Sequence, residues 1–252
     1  MSDVPYVPPP PPPPPVIPPA EPALSGPAGP AKPQFDFAKP FSYVFDDPDW
    51  VTKILIGGLF YIAGFLIIGW FFILGYVAKT TRNIIAGHPR PLPEWENLGD
   101  FFAEGLRLFG VMLTIILPLV ALVMGIMIPA SILGSVDNEA ASAIGGIMSG
   151  TFACLFVPIS LAVTFFMPAM LLFAAVEQRF GAAFEFGRIW PFIKQNIGNY
   201  VLAIVVYLIA RFIGGFGIML LCIGVVFTGF WSFLITAHGF AQVYRLATQP
   251  KA

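Results

Sequence analysis

The feature that most limits this chain is the length of its apolar runs. From Leu108 to Gly134, and again from Ala143 to Val176, no charged side chain occurs. A helix rises about 1.5 Å per residue and the hydrocarbon of a bilayer is about 30 Å thick, so ~20 such residues cross it. Only 11% of the side chains are charged, against about 25% in a soluble domain. Inside hydrocarbon every backbone N–H and C=O must be paired within its own segment, which leaves the helix as the natural solution. The expected fold class is all-α: a polytopic transmembrane helix bundle, multi-pass in a cell membrane, with the lipid bilayer as its first partner.

Two further runs set the span count. Val201–Val243 is too long for one crossing, and the glycines of Gly214–Gly217 predict a turn that divides it into Val201–Phe216 and Ile218–Val243. Pro158 and Pro168 should kink Ala143–Val176 without ending it. The remaining run, Ile54–Ala78, either crosses once, making five spans, or dips in and returns, leaving four. Its length favours a crossing. Its glycines (Gly57, Gly58, Gly64, Gly69 and Gly75) and a basic residue at each end favour the re-entrant loop, which needs protein to shield its backbone.

Flanking charge orients the bundle. Lys79, Arg82, Arg90, Arg107, Arg179, Arg188, Lys194, Arg245 and Lys251 border the runs at one end, whereas Ser135–Ser142 carries Asp137 and Glu139 and no base. The positive-inside rule places the basic flanks in the cytoplasm and Ser135–Ser142 outside. A single crossing of Ile54–Ala78 puts the N-terminus outside; a re-entrant loop keeps it inside.

Before Phe35 the composition changes. Residues 1–34 hold more than half of the 26 prolines, with an unbroken run from Pro8 to Pro15. Proline fixes φ and removes a donor, so this stretch is expected to be a disordered polyproline II tail whose central run extends roughly 25 Å. It reads either as a spacer or as a ligand for an aromatic-lined groove on a protein partner. The expected domains are therefore the tail at 1–34, a helical transmembrane domain at 35–247 and a short C-terminal tail at 248–252. The net charge of -1 offers no basic field to nucleic acid.

The chain also echoes itself. Phe35-Asp36-Phe37-Ala38-Lys39 recurs as Phe184-Glu185-Phe186-Gly187-Arg188, each followed by an apolar run, and Gly75-Tyr76 with Arg82 resembles Gly239-Phe240 with Arg245. Aromatic rings beside a base suit the headgroup layer, so the echo is either a repeat or two interfacial helices converging on one composition. A parallel repeat favours the re-entrant reading; an inverted one places the copies on opposite faces.

Phe41–Trp50, Lys53 with Gly57-Gly58, and the loop Gly87–Leu106, above all its core Pro91-Leu92-Pro93-Glu94-Trp95, resemble the uncharacterised prokaryotic membrane family known as domain of unknown function 4013. The resemblance extends from about Phe35 to Arg245, with Phe184–Arg188 and Arg245 also similar. It implies a multi-helix domain in a bacterial or archaeal membrane and assigns no activity.

Few residues could carry chemistry. Trp95, Leu98, Phe102 and Leu106 predict one apolar face of an amphipathic helix over Glu94–Leu108, with Glu96, Asp100 and Glu104 beside it. Such an interfacial helix should dock on the protein's own basic flanks, such as Arg82 or Arg188. Those acids and His88 could ligate a divalent cation, but four-residue spacing is commonplace, and no metal or cofactor is expected. Cys154 and Cys222 read as small buried hydrophobes. Arg211 is the one charge inside a run, where it costs at least about 2.5–3.5 kcal/mol unless partnered; it is expected to reach Asp137 or Glu139 outside. His238, the only span histidine, reads as a packing residue. Without a nucleophile–base order, a metal motif or a phosphate loop, an enzyme is not expected. The leading function is a membrane scaffold or adaptor; the rival is a small transporter or channel subunit, a candidate homo-oligomer, that uses the echoed halves around a site near Arg211.

Overall fold

The computed structural model describes residues 34–219 and 224–248. The proline tail up to residue 33, Cys222 and the final four residues lie outside the described part. Among the described residues there are helices and no strands: α1 (Lys39–Ser42), α2 (Trp50–Ala63), α3 (Ile68–Ile85), α4 (Leu98–Ser135), α5 (Glu139–Glu177), α6 (Phe186–Gln195), α7 (Ile197–Phe216) and α8 (Gly224–Thr248). Four of them, α4, α5, α7 and α8, are long and apolar enough to cross a membrane.

Six of these helices form three hairpins. The Ile54–Ala78 run does not continue as one rod. It breaks at Gly64–Leu66, where a short 3-10 turn leads into Ile67 with φ of 67°, and α3 folds back so that Gly69 lies on the backbone of Phe60 and Gly64. In the second hairpin Gly145 of α5 faces Ala130 and Gly134 of α4; in the third Gly214 of α7 lies beside Ser232 of α8. The run divides within the predicted Gly214–Gly217 turn: α7 continues through Gly214 and Gly215 and ends at Phe216, the expected end of that span. Gly214 is spent on helix packing, and the chain turns only from Gly217.

All three hairpins begin and end together. Lys53 in the first turn of α2 and Asn83 in the last turn of α3 both bond to the loop 88–97, through Leu92 O at 3.2 Å and Pro91 O at 2.8 Å. Arg245 near the end of α8 lies beside Gly87, and Tyr244 packs on Phe173 of α5 and Phe192 of α6. The echoed sequences open matching units: α1 with the turn Tyr43–Asp46 precedes the α2–α3 hairpin, and α6 precedes the α7–α8 hairpin. Both units start and finish at the same end of the bundle, which is the arrangement of a parallel repeat.

The centre of the bundle is built on very close backbone approach. Gly75 of α3 faces the backbone of Phe101, and Gly105 of α4 faces the backbone of Phe71, so a Cβ at either position would overlap the partner helix. This contact sets the rotation of α4. Phe101, Gly105, Leu108 and Val111 turn inward, while Leu98 and Leu106, which periodicity sets on one apolar face with Phe102, are 39% and 49% exposed. The helix predicted from Glu94 starts at Leu98 and continues unbroken to Ser135; Trp95 precedes it. Sequence periodicity favoured the larger side chains, but two backbones this close admit only glycine. Pro118, Pro129, Pro158 and Pro168 are all carried inside α4 and α5.

Gly105→Ala should therefore overpack the α3–α4 contact and cost about 1–3 kcal/mol, read as a lower unfolding midpoint in detergent micelles. Gly99→Ala, where nothing meets the added carbon, should leave the midpoint unchanged or raise it by the helix preference for alanine.

Candidate functional site

The motif loop Pro91–Trp95 is not a free surface. Pro91, Leu92 and Pro93 are buried, and Trp95 wedges between α2 and α3, its ring stacked on Tyr76 at 4.1 Å and on Phe60 at 5.0 Å. Its indole N–H donates to Lys53 O at 3.1 Å. Beneath it the Lys53 ammonium, itself buried, donates to Asp47 Oδ2 at 2.8 Å and Leu92 O at 3.2 Å and pairs with Glu94 Oε1 at 2.6 Å. An ammonium has three protons, and all three are used. Asp47 is 2% exposed, and its other oxygen accepts from Asp49 N at 2.9 Å. One lysine thus ties the turn before α2, the start of α2 and the loop before α4. Sequence reading treated Lys53 as a basic flank. Its position at the edge of an apolar run, six residues after Asp47, is the available signal, but nothing in that spacing brings Glu94 to it.

Three arginines at this end are paired in the same manner. Arg82 bridges Glu104 and the Ala175 carbonyl, the docking expected of the acidic stripe, although Glu104 turns inward to make it. Arg179 and Arg188 share Glu177 and Glu185. The two guanidiniums hold the Glu185 carboxyl below the usual carboxylate range, Arg188 contributing most, and Glu185 begins α6.

Residues singled out in the spans fall elsewhere. Asp137 and Glu139 are exposed at the α4–α5 turn, and among the described residues Arg211 forms no ion pair with either. The expected staple is absent because the acids sit at the tip of a hairpin whose helices are 38 and 39 residues long, roughly 57 Å each, whereas α7 has 20. Arg211 instead lines a cavity of about 450 Å³ walled by α3, α4, α5, α7 and α8, with Trp70, Met112, Val163, Leu171 and Phe233 among its apolar lining. His238 is buried, its ring packed at a tilt against Tyr43 with centroids 4.4 Å apart and bonded through Nδ1 to Gln242 at 3.0 Å; Gln242 also holds Asp36. Cys154 is exposed, against the expectation of burial, because α5 there faces away from its partner helix.

The family described as "Protein of unknown function (DUF4013)" matches residues 57–223, about two thirds of the chain. The chain belongs to this family. The match includes Gly57-Gly58, the Pro91–Trp95 loop and Phe184–Arg188, but not Phe41–Lys53 or Arg245. No curated protein and no solved structure matches the chain. Trp95 and Glu94 therefore lie within the family's matched region while Asp47 and Lys53, which receive them, lie just before it.

Removing one partner of a buried ion pair leaves the other uncompensated and costs roughly 3–5 kcal/mol. Lys53→Met should lower the unfolding free energy by about that much in detergent micelles. Lys53→Met with Asp47→Leu should recover most of the loss, since no buried charge is then stranded. An equal deficit in single and double variants would show that the ammonium is not the tie.

Proposed function

We propose that this chain is a non-enzymatic membrane scaffold, anchored by its hairpins and offering its cytoplasmic end and proline arm to soluble partners. The observation that carries this reading is how the charges are used. Lys53, Arg82, Arg179 and Arg188 are each committed to carboxylates that tie one hairpin or loop to another, an arrangement that holds a shape and leaves little for acid–base work. In this reading the shared end of the hairpins faces the cytoplasm, because it bears the basic residues, and Asp137 and Glu139 face outside. The α2–α3 hairpin re-enters: its tip, with Phe65 and Leu66 87% and 79% exposed, rests in hydrocarbon, while α1 and α6 lie at the interface. The arm at 1–34 is then cytoplasmic, as a polyproline ligand for an intracellular groove requires.

Single cysteines at Ser2 and Ser135, with Cys154 and Cys222 replaced, test the sidedness. An impermeant thiol reagent applied to intact cells should label Ser135→Cys and spare Ser2→Cys until the cells are permeabilised. Labelling of Ser2→Cys from outside would end the cytoplasmic-adaptor reading and restore a fifth crossing.

A small transporter or channel subunit is the second reading, favoured by the cavity that Arg211 and Thr236 line. Thr228 instead donates to Gly214 O at 3.1 Å and to Gly224 O at 3.0 Å within the packed α7–α8 contact. A water-filled pathway predicts that a charged thiol reagent modifies Thr236→Cys and spares Thr228→Cys. Protection of both is expected of the scaffold.

A further inference from the structure

The cavity is almost entirely apolar, and the Ser and Thr hydroxyl protons on its wall are already committed; among the described residues the Tyr207 phenol on the same wall makes no hydrogen bond. Thr81 donates to Val77 O, Thr164 to Ser160 O, Ser232 to Gly229 O and Thr236 to Ser232 O, each within its own helix at 2.7–2.9 Å. An ion or a sugar entering here would exchange its water for a few hydroxyl oxygens that can accept but, Tyr207 apart, have no proton to give, at several kcal/mol per polar group left unpaired. Arg211 is the charged exception. Its guanidinium carries five N–H donors and is the one charged side chain on the cavity wall. It is exposed, whereas Ala237 and Leu172 on the same wall are buried, so the charge stands at the mouth and the apolar depth lies behind it. α5 and α7 meet where the Tyr200 hydroxyl donates to Phe165 O at 2.6 Å. Arg211 of α7 and Val163 and Thr164 of α5 line the same cavity, so two helices long and apolar enough to cross a membrane border it. Along α5 the lining runs from Val163 to Leu172, roughly 13 Å of helix, and the volume is within the range of small-ligand sites, about 300–1,000 Å³.

From this geometry we infer that the cavity binds a single-chain anionic amphiphile, its acyl tail lying among Met112, Leu171 and Phe233 and its carboxylate or phosphate oxygens accepting from Arg211. The headgroup supplies the counter-charge that Asp137 and Glu139 do not, and a planar guanidinium suits an oxyanion bidentately. The tail removes apolar wall from contact with water or voids. Access from the bilayer between α5 and α7 spares the ligand any passage through water. The site is independent of the scaffold reading, because it uses none of the cytoplasmic ion pairs.

Trp70 on the cavity wall provides the probe. The full chain in nanodiscs of phosphatidylcholine is titrated with dibrominated stearate, whose bromines quench indole fluorescence on contact. Quenching should saturate, and Trp70→Phe should abolish the saturable part although the other tryptophans remain. Oleate should displace the brominated chain at a mole fraction at least about tenfold below that of oleyl alcohol, the preference expected of one charge-assisted contact. Arg211→Gln should reduce that preference to near unity. Lysophosphatidate and oleate separate the two sources of oxyanion: the stronger competitor names the headgroup, and both should exceed zwitterionic lysophosphatidylcholine. The inference is overturned if quenching never saturates, if it survives unchanged in Trp70→Phe, or if wild-type protein treats oleate and oleyl alcohol alike. The last comparison needs no variant and so does not depend on any substitution folding.

Discussion

The Lys53 ammonium is where the separate parts of this bundle become one. It sits 4% exposed at the foot of α2, with Asp47 from the preceding turn and Leu92 and Glu94 from the loop before α4 on its three protons. A buried charge is costly unless every proton finds an acceptor, so the conformations of both the turn and the loop are constrained by it. Trp95 follows from the same geometry: with Leu92 and Glu94 held at the ammonium, its ring has to enter between Phe60 and Tyr76, and its N–H reaches the carbonyl of Lys53 itself. The α2–α3 hairpin is thereby closed at its base by the segment that leads into the first long helix.

Above that base, shape is set by backbone contact. Gly75 and Gly105 bring α3 and α4 together so closely that the rotation of α4 is decided by what is missing at those positions. Lipid tails are as apolar as leucine, so helices in a membrane gain little by hiding large side chains from them, and small residues that allow close packing take over. The same logic explains why Leu98 and Leu106 can stay outward. α4 and α5 then extend as a hairpin with little other protein around it, exposing Leu117, Met124, Ile128, Ile147 and Leu155. Such a surface is costly in water and natural in hydrocarbon.

Charge is distributed to match. The end with the hairpin bases carries interlocked pairs, the α4–α5 tip carries Asp137 and Glu139 alone, and Arg211 stands by itself at the mouth of an apolar cavity. Structural pairs explain the first set and the topology explains the second. Arg211 is a charge within a span that forms no ion pair among the described residues, and this is why the cavity rather than the family's motif loop is the place to look for a ligand.

Read alone, the sequence determined what depends on solvent and on local chain geometry. Uncharged runs long enough for a bilayer dictated membrane helices. The echo at Phe35 and Phe184 marked two matching units, and the Pro91–Trp95 core marked the family. Tertiary structure decided the rest, because it depends on which backbones meet. Whether Ile54–Ala78 folds back turned on the break at Gly64–Ile67 and on Lys53 and Asn83 sharing one loop. The buried face of α4 turned on Gly105, a residue that periodicity counts as nothing. The partner of Arg211 could not be read from charge alone: its distance from Asp137 is set by hairpin lengths, and an empty volume between five helices has no signature in a linear chain.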